Sequence, residues 1–198
     1  MLEIADGYYD LPRGTLPNVV TFLEMHACPP ARPDPPNVRA RLRRVEHPER
    51  AWYRALYHHV GDAYLWYSRL ALDDDGLQAV IGDPRVEIYA VHCDGRDEGV
   101  LELDFRASEA CEIAYFGLAD ALVGRGIGRW LMNRTLEIAW AHPIRRLWVH
   151  TCTLDHPGAL PFYMRSGFIP YKRQLEFARD PRLVGLVPRD AAPQVPMI

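Results

Sequence analysis

At 198 residues, with 48% apolar and 25% charged residues, the chain has the composition of a soluble globular protein with one ordinary core. A formal net charge of −3, without any Lys/Arg run, argues against a nucleic-acid-binding surface. No apolar stretch is long enough to span a membrane, and the acidic start Met1-Leu2-Glu3-Ile4-Ala5-Asp6 lacks the apolar run of a leader, so a cytoplasmic protein is expected.

Residues 18–27 read as a first strand. Five prolines in the eight residues 29–36 then exclude helix, and a rigid surface crossover is expected there in preference to a recognition site for proline-binding modules. A helix follows over 48–60, with Pro48 in its first turn and Trp52, Tyr53, Leu56 and Tyr57 at core spacing. Its neighbours His58 and His59 are adjacent, so they do not face one another and do not read as a metal pair. Tyr64, Trp66 and Tyr67 continue the aromatic run past Gly61. Asp73-Asp74-Asp75 caps a short helix over about 75–82, which Gly82-Asp83-Pro84 ends.

Residues 86–91 and 99–105 alternate as strands around an Asp94-Gly95 hairpin turn, and 112–118 form a third strand. The helix from Gly126 to about Ala141 stops before Pro143. A strand over 146–153 then lies parallel to 112–118, because a helix crosses between them. A short helix over 158–166, a last strand over 167–177 and a loosely packed tail from Arg179 complete the chain. Cys28, Cys93, Cys111 and Cys152 are widely spaced, with no Cys-x-x-Cys or His-x-x-x-His pair, and no metal is assigned.

The most informative stretch is the junction between the strand ending Tyr115-Phe116-Gly117-Leu118 and the helix that follows. It contains Gly124, Gly126 and Gly128, with Arg125 and Arg129 between and beside them. Glycines let the backbone turn and let a ligand approach its N–H groups closely. The helix start adds unpaired amides and a partial positive charge, a cradle for phosphate. The spacing is neither a Rossmann Gly-x-Gly-x-x-Gly nor a Walker A loop.

Together with Ala159-Leu160-Pro161-Phe162-Tyr163-Met164-Arg165-Ser166-Gly167-Phe168, the turn Arg125-Gly126-Ile127-Gly128 resembles the GNAT (GCN5-related N-acetyltransferase) superfamily, over about residues 86–177. Two positions depart from the family pattern. Val123 stands where Gln or Arg is usual, and His156, preceded by Asp155, stands where Asn is usual.

The resemblance implies an α+β fold, a mixed and mostly antiparallel sheet of about 6–7 strands flanked by about four helices, in one domain over residues 1–198. It also implies that two parallel strands part to admit the pantetheine arm of acetyl-CoA as cosubstrate. Pantetheine would pair with the backbone of Phe116, Gly117 and Leu118. The pyrophosphate would lie on the turn, Val123, Gly124, Arg125, Gly126, Ile127, Gly128, Arg129 and Trp130, while Asp155, Ala159 and Phe162 would border the arm. Tyr163 would protonate the departing thiolate. The aromatic run after the first strand is core or, as the resemblance suggests, a wall of the acceptor pocket.

Acetyl transfer to an amine needs a free lone pair. By alternation Glu112 should share a face with Ala114 and Phe116, which makes it the candidate base; His150 is the runner-up. The implied function is acetylation of a small amine by direct attack in a ternary complex. Acetylation of a protein N-terminus or lysine and a non-catalytic acyl-CoA sensor are the alternatives. A homodimer is common in the family.

Overall fold

The computed structural model describes residues 5–198, so the first four residues of the acidic start lie outside it. Seven strands form one sheet in the order β2-β3-β4-β5-β6-β1-β7. They are β1 (Thr15–Met25), β2 (Ala40–Arg44), β3 (Val86–Cys93), β4 (Arg96–Asp104), β5 (Ala110–Leu118), β6 (Arg146–Cys152) and β7 (Ile169–Arg179). Every neighbouring pair is antiparallel except β5 and β6. The four helices are α1 (Arg50–Gly61), α2 (Asp74–Ile81), α3 (Ile127–Ala141) and α4 (Ala159–Arg165). This mixed α+β architecture is the one that the resemblance implies.

Helices cover both faces of the central strands, which is why β3 and most of β4 are buried on both sides. On the back face, Leu23, Leu101, Leu103, Ile113 and Val149 pack with Ile127, Leu131 and Tyr163 from α3 and α4. On the front face, Tyr53 and Tyr57 of α1 and Leu77 of α2 pack on Val86 and Ile88. Asp73 caps α2 by accepting from the Gly76 amide at 2.8 Å, and Asp74 ties α2 to Arg54 of α1 at 2.6 Å.

The 29–36 crossover climbs the outer side of α3. Arg32 donates to the Arg165 carbonyl at 2.8 Å, Arg129 to the Pro33 carbonyl at 2.5 Å, and Asn133 to Asp34 at 2.7 Å. It delivers the chain to β2, a strand absent from the sequence reading: the Ala-Arg-Leu-Arg-Arg run has too few apolar residues to show alternation. Helix α1 begins at Arg50 with Glu49 as its N-cap, so Pro48 precedes the helix.

The tail is a correction, because it is packed and not loose. Arg182 and Asp180 pair at 2.7 Å with side chains only 2% and 3% exposed. The same guanidinium donates to the carbonyls of Ala191, Ala192 and Val195. It thereby folds residues 180–195 into a knot whose Val187 and Ala192 bury against Leu16 and Leu65.

Candidate active site

Strands β5 and β6 pair only as far as Ile113 and Val149. Beyond that point β5 remains paired to β4 up to Leu118, and β6 to β1 up to Cys152. The edges that face each other, residues 114–118 and 150–152, therefore part and leave a cleft. An irregularity assists: Glu102 pairs with Tyr115 and Leu103 with Ile113, so Ala114 is an extra residue. Such a bulge bends and twists the strand.

The bulge also corrects the position of Glu112. Alternation breaks at Ala114, so Glu112 does not share a face with Phe116. Phe116 turns to the back, its ring 5.6 Å from Phe162 and 6.1 Å from Tyr163. Tyr115 turns to the front, against Tyr57 and Trp66 at 5.0 and 5.1 Å. Glu112 also faces front, where its Oε1 lies 3.5 Å from Nδ1 of His150. The two residues considered separately as bases thus form one pair, with side chains 24% and 44% exposed.

At the upper end of the cleft, Gly124 and Gly126 both have φ of +80°, a conformation that side chains disfavour. Gly126 is the N-cap of α3, and the first amide to bond back along the helix is that of Trp130, to the Gly126 carbonyl at 3.2 Å. The amides of residues 126–129 precede that bond and have no carbonyl within the helix to take them. A Cβ on Gly126 would lie 3.0 Å from Pro35, whereas one on Gly128 would meet nothing closer than Leu118 at 3.9 Å. The space above Gly128 is thus open to a ligand. A phosphate fits this cradle, which offers unpaired donors, a helix N-terminus and open space over Gly128.

The remaining residues expected here divide into three groups. Leu118, Ile127, Trp130, Ala159 and Phe162 are packing residues of the back-face core. Val123 and Arg125 are exposed beside the cradle, while Arg129 is engaged by the proline crossover. Asp155 is spent on the protein itself: it accepts from Thr151 Oγ1 at 2.7 Å, the Cys152 amide at 2.8 Å and Trp66 Nε1 at 3.3 Å.

Tyr163 is buried against Phe116, Phe162 and Phe168. Burial, and secondarily the charge of Asp155, raises its pKa, so the phenol is a neutral donor throughout the physiological range. Cys152 is the nearest thiol, and burial with Asp155 beside it pushes its pKa up to about 12. It remains a thiol and is a poor nucleophile for an acyl-enzyme.

A second polar group on the front face was not identified from sequence. Glu102, fully buried, takes hydrogen bonds from Tyr53 at 2.5 Å and Arg69 at 2.6 Å. The Arg69 guanidinium lies 5.0 Å over the Tyr115 ring, and the Tyr115 hydroxyl bonds to Tyr57 at 3.1 Å and to Ser68. Glu102 occupies an alternating strand, where a carboxylate reads as solvent-facing. Only the knowledge that α1 covers that face would have flagged it. Among the described residues no group of three or more His, Cys, Asp or Glu is arranged to hold a metal ion.

The architecture has parallels among solved structures. A GCN5-related N-acetyltransferase from Sphaerobacter thermophilus is similar over 83% of this chain and 53% of its own, at 16% identity and a TM-score of 0.57. One from Kribbella flavida is similar over 87% and 63%, at 18% identity and 0.55. A GNAT family acetyltransferase from Elizabethkingia anophelis with acetyl-CoA bound is similar over 68% and 78%, at 17% identity and 0.51. These likenesses are of fold, and the chain spans little more than half the length of the Sphaerobacter protein. No curated protein sequence matches the chain. The profile of the acetyltransferase (GNAT) family matches residues 43–168, more than half of the chain, and with the parted strands and the glycine cradle this makes the protein a member of the GNAT acetyltransferase family.

Proposed function

We propose that the protein transfers an acetyl group from acetyl-CoA to the primary amine of a small molecule, by direct attack in a ternary complex. The observation that carries this reading is the cleft between β5 and β6, which ends at the unpaired amides of α3. An amide-rich pantetheine arm can pair with the free edge of residues 116–118, as an added strand does, while the pyrophosphate lies on the amides of residues 126–129.

The amine enters from the front. An alkyl amine with pKa near 10 is about three units too protonated at neutral pH, a cost of roughly 4 kcal/mol. Glu112 would take that proton, and its pairing with His150 at 3.5 Å on the front face supports this role. The nitrogen forms its bond to the thioester carbonyl, the C–S bond breaks, and the electron pair leaves on sulfur. Tyr163, on the back, donates its hydroxyl proton toward that sulfur. Its raised pKa keeps the phenol protonated and able to donate a hydrogen bond to the departing thiolate, while making it a reluctant source of a full proton. The high pKa of Cys152 favours this single displacement over a covalent route.

The same reading includes a cytoplasmic location and self-association. No helix among the described residues is long and apolar enough to cross a membrane. The edge strand β7 exposes Ile169, Leu175 and Phe177, an apolar edge of the kind that pairs with a second copy. The test of function is CoA thiol release from acetyl-CoA against amines, amino acids and short peptides. Release that depends on a small amine supports the reading. Release only with peptides would move the acceptor class to proteins, and tight binding without release would make the chain a sensor of acyl-CoA.

A further inference from the structure

We infer that Trp66 is the residue that sets the size of the acceptor, closing the front of the cleft so that only slender primary amines reach the thioester. The inference rests on the acetyl-transfer reading above and deepens it. Trp66 lies in the connection between α1 and α2, packs directly on β5 and reaches the end of β6 through Asp155, in the turn that follows that strand. Toward β5 its ring is 5.1 Å from Tyr115. With Val60 it also fills the space over Gly117, where a Cβ would collide with Val60 and come within 2.7 Å of the indole. Toward β6 its Nε1 donates to Asp155 at 3.3 Å, and Asp155 is itself fastened to Thr151 and Cys152 at the end of that strand. Trp66 and Asp155 together therefore link one splayed strand to the end of the other.

The bridge is held at several points. The Trp66 amide bonds to the Gly61 carbonyl at 3.1 Å, which seats the connection on the last turn of α1. On either side, Tyr64 donates to Asp120 at 3.1 Å and Tyr67 to Glu176 at 3.0 Å, so the residues flanking the indole are fixed to the molecule as well. The buried Glu102–Arg69 pair holds the following turn under Tyr115. Gly117 thus has a second reason to be glycine: besides leaving its backbone free, it makes room for Val60 and the indole. On this inference, an amine coming from the front toward Glu112 and His150 passes this ring. A planar nine-atom ring excludes aryl and branched amines far more than a straight alkyl chain, a difference of about tenfold or more per misfit group.

The experiment compares wild type, Trp66→Phe and Trp66→Ala, each checked for folding by its thermal melt and for acetyl-CoA affinity by calorimetry. CoA release is measured with straight-chain amines, with arylalkyl and branched amines, and with no acceptor. Trp66→Ala should raise the ratio of bulky to slender kcat/KM by about tenfold or more and speed acceptor-free hydrolysis severalfold, as water gains the front of the cleft. Trp66→Phe, with a smaller ring and no N–H for Asp155, should move the same way by about threefold; this variant decides the matter if the alanine protein does not fold. An unchanged ratio and unchanged hydrolysis, in variants that bind acetyl-CoA like wild type, would overturn the role of Trp66 and leave the acetyl-transfer reading standing. Failure of wild type to bind acetyl-CoA would overturn that reading and this inference with it.

Discussion

The two sides of the parted strands are built in opposite ways. The back is local: the turn at 124–128, α3 and α4 all lie within about fifty residues, and each part adjoins the strand it serves. The front is assembled from afar, since Tyr57, Trp66 and Arg69 meet Tyr115 across some fifty residues of chain, and the tail closes in from the far end. The back offers backbone donors and a helix terminus, chemistry that any member of the fold needs for the same cosubstrate. The front offers side chains, among them Trp66, Tyr67, Glu112 and His150, which in the proposed reading would distinguish one acceptor from another. On the proposed reading, the cosubstrate would be held by main chain and the acceptor by side chains.

Substitutions can break the contrast on either side. The largest effect is expected on the front. Glu112→Gln should lower kcat/KM at neutral pH by about 10²- to 10⁴-fold, with the loss shrinking as pH rises toward the amine pKa and acetyl-CoA affinity unchanged. A pH-independent loss would mean Glu112 only shapes the site. On the back, Tyr163→Phe should lower kcat by about 10- to 1000-fold without altering acetyl-CoA affinity, and an unchanged kcat would remove it as donor to the sulfur. The smallest expected effect is structural. Glu102→Ala leaves Arg69 without its buried partner and should cost about 3 kcal/mol, or roughly 6–12 °C in Tm, read by thermal melting.

What could be read in the sequence follows the same division. The glycine turn and the Ala159–Phe168 segment are legible because each is a contiguous pattern whose backbone chemistry depends on local residues alone. The splay between β5 and β6 follows from the resemblance they carry, and the strand pairing contains it. The face of Glu112 was misjudged because the extra residue at Ala114 reverses alternation, and a bulge leaves no mark in a run such as Glu-Ile-Ala-Tyr-Phe. The aromatic density at residues 52–67 was visible, but which ring is linked to the end of β6 depends on Asp155, far along the chain. The tail looked loose because its proline content hides a single arginine that gathers three carbonyls.

The central claim is that the cleft ending at α3 is where acetyl-CoA binds, and its most direct test is a calorimetric titration of acetyl-CoA into wild type and Gly128→Leu. A side chain at Gly128 has room within the protein, its Cβ 3.9 Å from the nearest neighbour, and its φ is not positive, so the variant should melt like wild type. A leucine there would occupy the phosphate cradle. The account predicts saturable binding to wild type and a loss of at least about 100-fold, near 3 kcal/mol, in the folded variant. Equal affinity in the two proteins would contradict it, because the phosphates would then lie elsewhere.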